Sequence, residues 1–159
     1  MKKILILSLF ITMLIPAFAA DGKDIAIVYN GRSTVNRETS KYILKQSSKV
    51  NLDYDYKVLD VKDINNASDY SAVIILNTGI SNNNIDLDLK SFVESTSNKS
   101  NLILLTFNKG GNSFEATLLS GPNALYGVDG VSTASIYKHG DDNDFQWFDM
   151  LVELLSEIK

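Results

Sequence analysis

Apolar residues gather into five short runs along the chain, separated by polar stretches. The runs at 72–76 (AVIIL) and 102–107 (LILLTF) are continuous, which is typical of central parallel strands covered on both faces. The run at 24–29 (DIAIVY) is rich in β-branched residues and ends at Asn-Gly, as a buried strand does. The run at 54–61 alternates and suits a strand near an edge, and the run at 130–137 is weaker. The pattern therefore predicts five strands.

Between the strands, apolar residues repeat at helical spacing. This spacing predicts helices at 36–47, 86–97, 113–119 and 144–158. Asn36 is a good N-cap type for the first helix, and Gly121-Pro122 would end the third. The last segment has the strongest pattern, with apolar residues at i, i+3 and i+4 along its length.

Strands that alternate with helices form right-handed βαβ units, in which a parallel sheet lies between two layers of helices. Five such strands in a chain of 159 residues predict a doubly wound α/β domain with the common strand order 2-1-3-4-5. No internal repeat or linker divides the sequence. We therefore expect one three-layer domain at 21–159.

The first twenty residues have the composition of a signal peptide. Lys2 and Lys3 precede an apolar run at 4–15, and 16–19 (PAFA) offers small residues for cleavage. The run is shorter than the roughly 20 residues that a membrane span needs. We expect residues 1–20 to be removed, which would place the protein in a bacterial periplasm or outside the cell, with no stable membrane insertion after cleavage.

The charge of the chain limits the classes of partner. Acidic residues outnumber basic ones, 19 to 15, and removal of Lys2 and Lys3 would widen the difference. A chain this acidic has no electrostatic reason to bind nucleic acid. Since it contains no cysteine, disulfides and thiolate metal sites are excluded. With nucleic acid excluded, the partner that we expect is an unknown protein or a small anionic ligand.

Few residues are candidates for catalysis or metal binding. His139 is the only histidine, and no second histidine or cysteine accompanies it to form a transition-metal site. Asp141, Asp142 and Asp144 lack the spacing of a calcium loop and fit better as negative charges at a helix start. We predict no metal and no catalytic residue, with a hydrolase that uses His139 as its base as the weaker alternative.

Three aromatic residues would suit contact with a partner protein if they were exposed. Trp147 is the natural anchor, unless it covers a neighbouring strand from the margin of the last helix. Tyr54 and Tyr56 flank Asp55 on the predicted edge strand. An exposed aromatic pair at such an edge would favour dimerisation.

Three loops at the carboxyl ends of the predicted strands form the expected crevice, because ligands of open α/β sheets bind where the strand order reverses. The loops 30–35, 77–84 and 108–113 are rich in Gly, Asn, Ser and Thr and contain no carboxylate. Backbone N–H groups at the first helix and the charge of Arg32 favour a phosphate or carboxylate there, although any βα loop is polar. The candidate binding residues are Asn30, Arg32, Ser33, Thr34, Asn36, Asn77, Thr78, Gly79, Gly110 and Asn112.

Three segments carry a resemblance to a known family: 24–43 (DIAIVYNGRSTVNRETSKYI), 68–80 (SDYSAVIILNTGI) and 102–135 (LILLTFNKGGNSFEATLLSGPNALYGVDGVSTAS). Through them the chain resembles the flavodoxin-like family over essentially the whole of 21–159. In that family the first loop wraps the phosphate of FMN with a motif like S/T-x-T-G-x-T. The resemblance therefore implies a flavodoxin-like sandwich and an FMN site on the first loop.

The first loop departs from that motif. Asn30 stands at the first hydroxyl position and Arg32 at the second, while Ser33 replaces the glycine and Val35 the final threonine. Ser33 lacks the freedom of glycine to adopt positive φ, and Val35 has no hydroxyl. The loop after the third strand has no aromatic residue to stack on a flavin, although Phe114 could stack from the next loop.

Two functions are consistent with these residues. The departures from the motif predict a cofactor-free binding or interaction module. Export supports it, since the general export route carries an unfolded chain and a non-covalent cofactor would have to be acquired outside the cytoplasm. The alternative is an FMN-binding electron-transfer protein whose phosphate lies on 30–36.

Overall fold

The computed structural model describes residues 24–31, 33–50, 52, 54–80, 84–108, 116–133 and 146–158. Within these ranges, six strands and three α-helices follow one another along the chain. They are β1 Asp24–Tyr29, α1 Thr34–Lys49, β2 Asp55–Asp60, β3 Ala72–Ile80, α2 Leu87–Ser95, β4 Leu102–Asn108, β5 Thr117–Leu119, β6 Gly130–Thr133 and α3 Gln146–Glu157.

Several sequence predictions concern residues outside these ranges. The expected signal peptide at 1–20, His139 and the aspartates at 141, 142 and 144 all lie outside the described residues, as does Phe114. In the part of the chain that is described, no helix has the length and apolar character needed to cross a membrane.

The strands form one sheet in the order β2-β1-β3-β4-β6-β5. β1 pairs in parallel with β2 and β3, and β4 pairs in parallel with β3 and β6. With β6 as the fifth parallel strand, this is the order that the alternation of elements predicts, and the α/β class is confirmed. The strand order reverses between β1 and β3, so their carboxyl ends lie side by side at the expected crevice.

The far edge of the sheet differs from the prediction. The pattern predicts a helix at 113–119, but Thr117–Leu119 is strand β5. This strand runs antiparallel to β6, with Leu118 opposite Val131, and the sheet therefore has six strands rather than five. Three residues are too few to reveal a strand by alternation, so pairing with β6 decides the local conformation.

An apolar cluster on each face of the sheet makes up the core. α1 and α3 cover one face, where Ile27, Ile74 and Leu151 are fully buried. α2 covers the other face with Leu89 and Val93. Successive residues of the central strands point into different clusters, which explains why these strands are apolar without interruption.

Helix α1 begins two residues earlier than the sequence pattern predicts. Ser33 is its N-cap, and the Ser33 Oγ accepts a hydrogen bond from the Asn36 backbone N–H at 3.5 Å. The segment offers several residues of N-cap type in succession, and the sequence alone does not rank them. As a result, Asn36 lies within the first turn and its side chain is buried against the sheet.

The aromatic residues considered as partner contacts lie in or against the core. Trp147 is 6% exposed, and its ring centroid lies 5.4 Å from that of Tyr42. Tyr54 and Tyr56 pack against the same cluster, and the Tyr56 hydroxyl donates to Ser47 Oγ at 2.9 Å. Both tyrosines are half-buried, so the hypothesis of an exposed aromatic pair at this edge is wrong. Burial raises the pKa of Tyr56.

Candidate functional site

The carboxyl ends of β1 and β3 bring together most of the polar residues assigned to the crevice. Those described are Asn30, Ser33, Thr34 and Asn36 at the β1–α1 junction, and Asn77, Thr78 and Gly79 in β3. The pairing of β3 with β4 shifts in register between Thr78 and Ile80, so the sheet ends irregularly here. Arg32, Gly110 and Asn112 lie outside the described residues, and their roles stay predictions.

Two hydrogen bonds join the β1–α1 segment to the elements on the other side of the crevice. The Asn30 side-chain amide donates to Asp86 Oδ1 at 2.9 Å, 56 residues away in the chain. The Thr78 hydroxyl donates to Asn36 Oδ1. These bonds hold the start of α1 against β3 and the start of α2.

Asn77 is the centre of this hydrogen-bond network and is fully buried. Its Oδ1 accepts from the Asp86 backbone N–H at 3.1 Å, and its Nδ2 donates to the Asn84 carbonyl at 2.8 Å and to Thr106 Oγ1 at 3.3 Å. Asp86 in turn caps α2 by accepting from the backbone N–H of Leu89. A buried amide with every bond satisfied fixes the loop that precedes α2.

A carboxylate from the neighbouring strand occupies the first loop. Asp60, the last residue of β2, accepts from the Gly31 backbone N–H through Oδ2 at 3.1 Å. Its Oδ1 accepts from the Lys62 backbone N–H at 3.0 Å. Gly31 has a φ of +73°, a conformation that glycine adopts at little cost. The amide that could bind an anion at this position therefore already binds a carboxylate.

This arrangement changes the electrostatic picture drawn from the loop sequences. The loops themselves carry no acidic residue, but Asp60 and Asp86 each place a carboxylate against Asn30-Gly31. The sequence does not identify Asp60 as a site residue, because the predicted strand 54–61 includes it as an ordinary strand position. Its pairing opposite Tyr29 is what brings it to the loop.

A cavity of about 290 Å³ opens beside the first loop. Its lining residues are Tyr29, Gly31, Ser33, Arg37 and Asp60. Arg37 lies in the first turn of α1, exposed, and was not among the residues expected from the sequence. Among the described residues of its wall, one side chain is cationic and one is anionic.

A larger cavity, of about 430 Å³, lies at the opposite, amino ends of the strands. It is lined by neutral side chains, among them Tyr54, Tyr70, Asn98 and Asn101. The Asn101 amide is engaged within the protein, since it donates to the carbonyls of Ala67 and Tyr70 at 2.9 and 3.0 Å. In the ranges that the structure covers, no group of three or more His, Cys, Asp or Glu residues could hold a metal ion at either end.

Neither a family model nor a curated protein sequence matches the chain. Solved structures do match its fold. A flavodoxin from Streptococcus pneumoniae TIGR4 is 12% identical, with a TM-score of 0.52 over 84% of this chain and 97% of its own. Oxidised flavodoxin 1 from Bacillus cereus is 11% identical, with a TM-score of 0.49 over 86% of this chain and 99% of its own. The fold is flavodoxin-like, and at such low identity the likeness concerns the fold alone.

Proposed function

We propose that the protein is an exported binding or interaction module with a flavodoxin-like fold and no flavin on its first loop. The observation that carries the proposal is the hydrogen bond between Asp60 Oδ2 and the Gly31 backbone N–H. A phosphate on this loop would have to displace the carboxylate and then remain beside it.

Electrostatics support this choice. Loops at helix N-termini bind phosphate because their N–H groups are free and the local potential is positive. In this protein the Gly31 N–H already binds Asp60, and the Asp60 carboxylate places a negative charge beside the loop. Two unit charges about 4 Å apart, at an effective dielectric constant of about 20, repel by about 4 kcal/mol. That repulsion exceeds what one additional hydrogen bond would recover.

The bonds across the crevice support the same conclusion. FMN with its phosphate on the first loop would need the β1–α1 segment and the elements across the crevice to leave room for it. The Asn30–Asp86 and Thr78–Asn36 hydrogen bonds join the elements on the two sides instead. Flavin binding would therefore require breaking contacts as well as displacing a carboxylate.

Titration of the purified protein into FMN, followed by flavin fluorescence, tests the proposal. We expect no quenching even at high protein concentration. A dissociation constant in the micromolar range or tighter would overturn the cofactor-free assignment.

An FMN-binding electron-transfer protein is the second candidate, favoured by the fold shared with the pneumococcal flavodoxin. In this case the phosphate would lie on 30–36, paired with Arg32. Arg32→Ala should then weaken FMN binding about tenfold, whereas Lys45→Ala, on the exposed side of α1, should not. Equal affinities for Arg32→Ala and the unchanged protein would exclude the role of the arginine.

Export is part of the proposal and rests on the composition of 1–20. Mass spectrometry of the protein from the native cell should find an N-terminus at Ala20 or Asp21. An intact Met1 would contradict cleavage.

A further inference from the structure

Two side chains of opposite charge share the cavity beside the first loop without forming an ion pair with each other. Asp60 and Arg37 both line it, and the ion pairs found among the described residues do not include one between them. Exposed side chains of opposite charge gain little by pairing, so both charges remain accessible to a ligand. A ligand that carries both charges would contact both side chains from within the cavity.

The carboxylate of Asp60 is fixed in place and keeps capacity for another donor. Its two oxygens each accept one backbone N–H, from Gly31 and Lys62, at 3.1 and 3.0 Å. An ionised carboxylate offers about four acceptor positions, so about two stay available. An ammonium group, with three N–H donors, suits such an acceptor.

The guanidinium of Arg37 supplies the opposite charge. Arg37 Nε lies 3.7 Å from Glu38 Oε1, which is close enough for an ion pair but too long for a hydrogen bond. The terminal nitrogens can therefore form the paired N–H contacts that guanidinium groups make with a carboxylate. Because Arg37 lies one turn inside α1 and Asp60 ends β2, the two charges face the cavity from different elements.

We infer that this cavity binds a small zwitterion of the free α-amino acid type, with its ammonium group on Asp60 and its carboxylate on Arg37. Its volume of about 290 Å³ lies at the lower limit of ligand pockets, about 300 Å³, and suits an amino acid better than a nucleotide. Tyr29 offers an aromatic wall for an apolar side chain. The inference depends on the proposed function, since a flavin phosphate on the first loop would occupy the same cavity.

Calorimetric titration with three matched probes tests the inference. L-Phenylalanine carries both charges, 3-phenylpropionate lacks the ammonium group and 2-phenylethylamine lacks the carboxylate. We expect phenylalanine to bind with a dissociation constant below about 1 mM, and each analogue to bind at least about tenfold more weakly. Absence of saturable binding at about 10 mM phenylalanine, or equal binding of either analogue, would overturn the inference.

Substitutions test whether Arg37 and Asp60 bind the two charged groups of the ligand. Arg37→Gln and Asp60→Asn should each weaken phenylalanine binding by about fivefold or more, whereas Lys41→Gln should not. Lys41 is a matched control because it is an exposed cation on the same helix, one turn further on, and does not line the cavity. Equal weakening by Lys41→Gln and Arg37→Gln would overturn the inference, since it would indicate a general effect of charge.

Arg37 is exposed, so Arg37→Gln should still fold and keeps the test valid if Asp60→Asn fails to fold.

The FMN titration separates the two proposals. If neither FMN nor phenylalanine binds, the cofactor-free assignment stands and the zwitterion site is wrong. If FMN binds in the micromolar range, the cofactor-free assignment is wrong, and the zwitterion site falls with it.

Discussion

The two ends of the sheet contain cavities of different kinds. At the amino ends, the larger cavity, of about 430 Å³, is lined by neutral side chains. At the carboxyl ends, the smaller one, of about 290 Å³, has a carboxylate and a guanidinium in its wall. Another cavity at the amino ends, of about 310 Å³, has Lys99, Asp129 and Glu157 in its wall, so charge occurs at both ends. The comparison teaches that a carboxylate held by two backbone N–H groups, rather than charge or volume alone, distinguishes the carboxyl end.

Side-chain amides also differ between the two ends. Asn101, at the amino end, is half-buried and donates to two carbonyls of a single turn that lies 31 and 34 residues away in the chain. Asn77, at the carboxyl end, connects β3 with β4 and with the segment before α2. Asn77 is therefore a fully buried amide with three partners in two different segments, whereas Asn101 is a half-buried amide with two partners in one turn.

The largest effect is expected at the amino end. A Cβ on Gly130 would lie 2.0 Å from the Leu104 carbonyl oxygen, so Gly130→Ala should lower the free energy of unfolding by about 3 kcal/mol or more. Gly127→Ala is the control, because it meets no atom within 4 Å and its φ of +73° alone should cost about 1 kcal/mol. Urea unfolding measures both, and equal losses would show that packing does not dominate this end.

Asn77→Leu and Asn101→Leu compare the two ends directly. Asn77→Leu leaves the Asp86 N–H, the Asn84 carbonyl and Thr106 Oγ1 without their partner, and should cost about 2 kcal/mol of unfolding free energy. Asn101→Leu affects a half-buried turn and should cost about 1 kcal/mol. If urea denaturation ranked Asn101→Leu as the more damaging change, the contrast between a buried amide with three partners and a half-buried amide with two would be wrong.

The smallest effect concerns the start of α1. Ser33→Ala removes the N-cap bond to the Asn36 N–H, which is long at 3.5 Å, so the expected loss is about 0.5 kcal/mol. Thr34→Ala, at an exposed position of the same turn, should change stability less. A loss above about 2 kcal/mol for Ser33→Ala would mean that the cap, rather than the network around Asn77, holds this loop.

The pattern of apolar runs predicts the central sheet well because its cause is local. Strand β1 has the predicted bounds 24–29, and the parallel order follows from alternation of strands and helices. Continuous apolar runs arise wherever a strand is buried on both faces, so β3 and β4 are visible in the sequence. The antiparallel strand β5 is not, because its conformation comes from pairing with β6.

The sequence predicts which polar residues meet at the carboxyl edge of the sheet, but not the charge there. The reversal of strand order between β1 and β3 indicates this edge, and Asn30, Asn36, Asn77 and Thr78 do meet there, while their role in binding stays a prediction. The charge comes from Asp60, whose contact with Gly31 spans 29 residues and depends on the register of β1 and β2. Contacts of this kind leave no local pattern.

The central claim is that the Asp60 carboxylate keeps phosphate off the first loop. FMN titrations of the unchanged protein and of Asp60→Asn test it most directly, because asparagine keeps an oxygen for the Gly31 N–H and removes the charge. We expect the variant to bind FMN at least about tenfold more tightly than the unchanged protein, which should show no quenching in the micromolar range. Identical titration curves for the two proteins, or micromolar binding by the unchanged one, would contradict the claim.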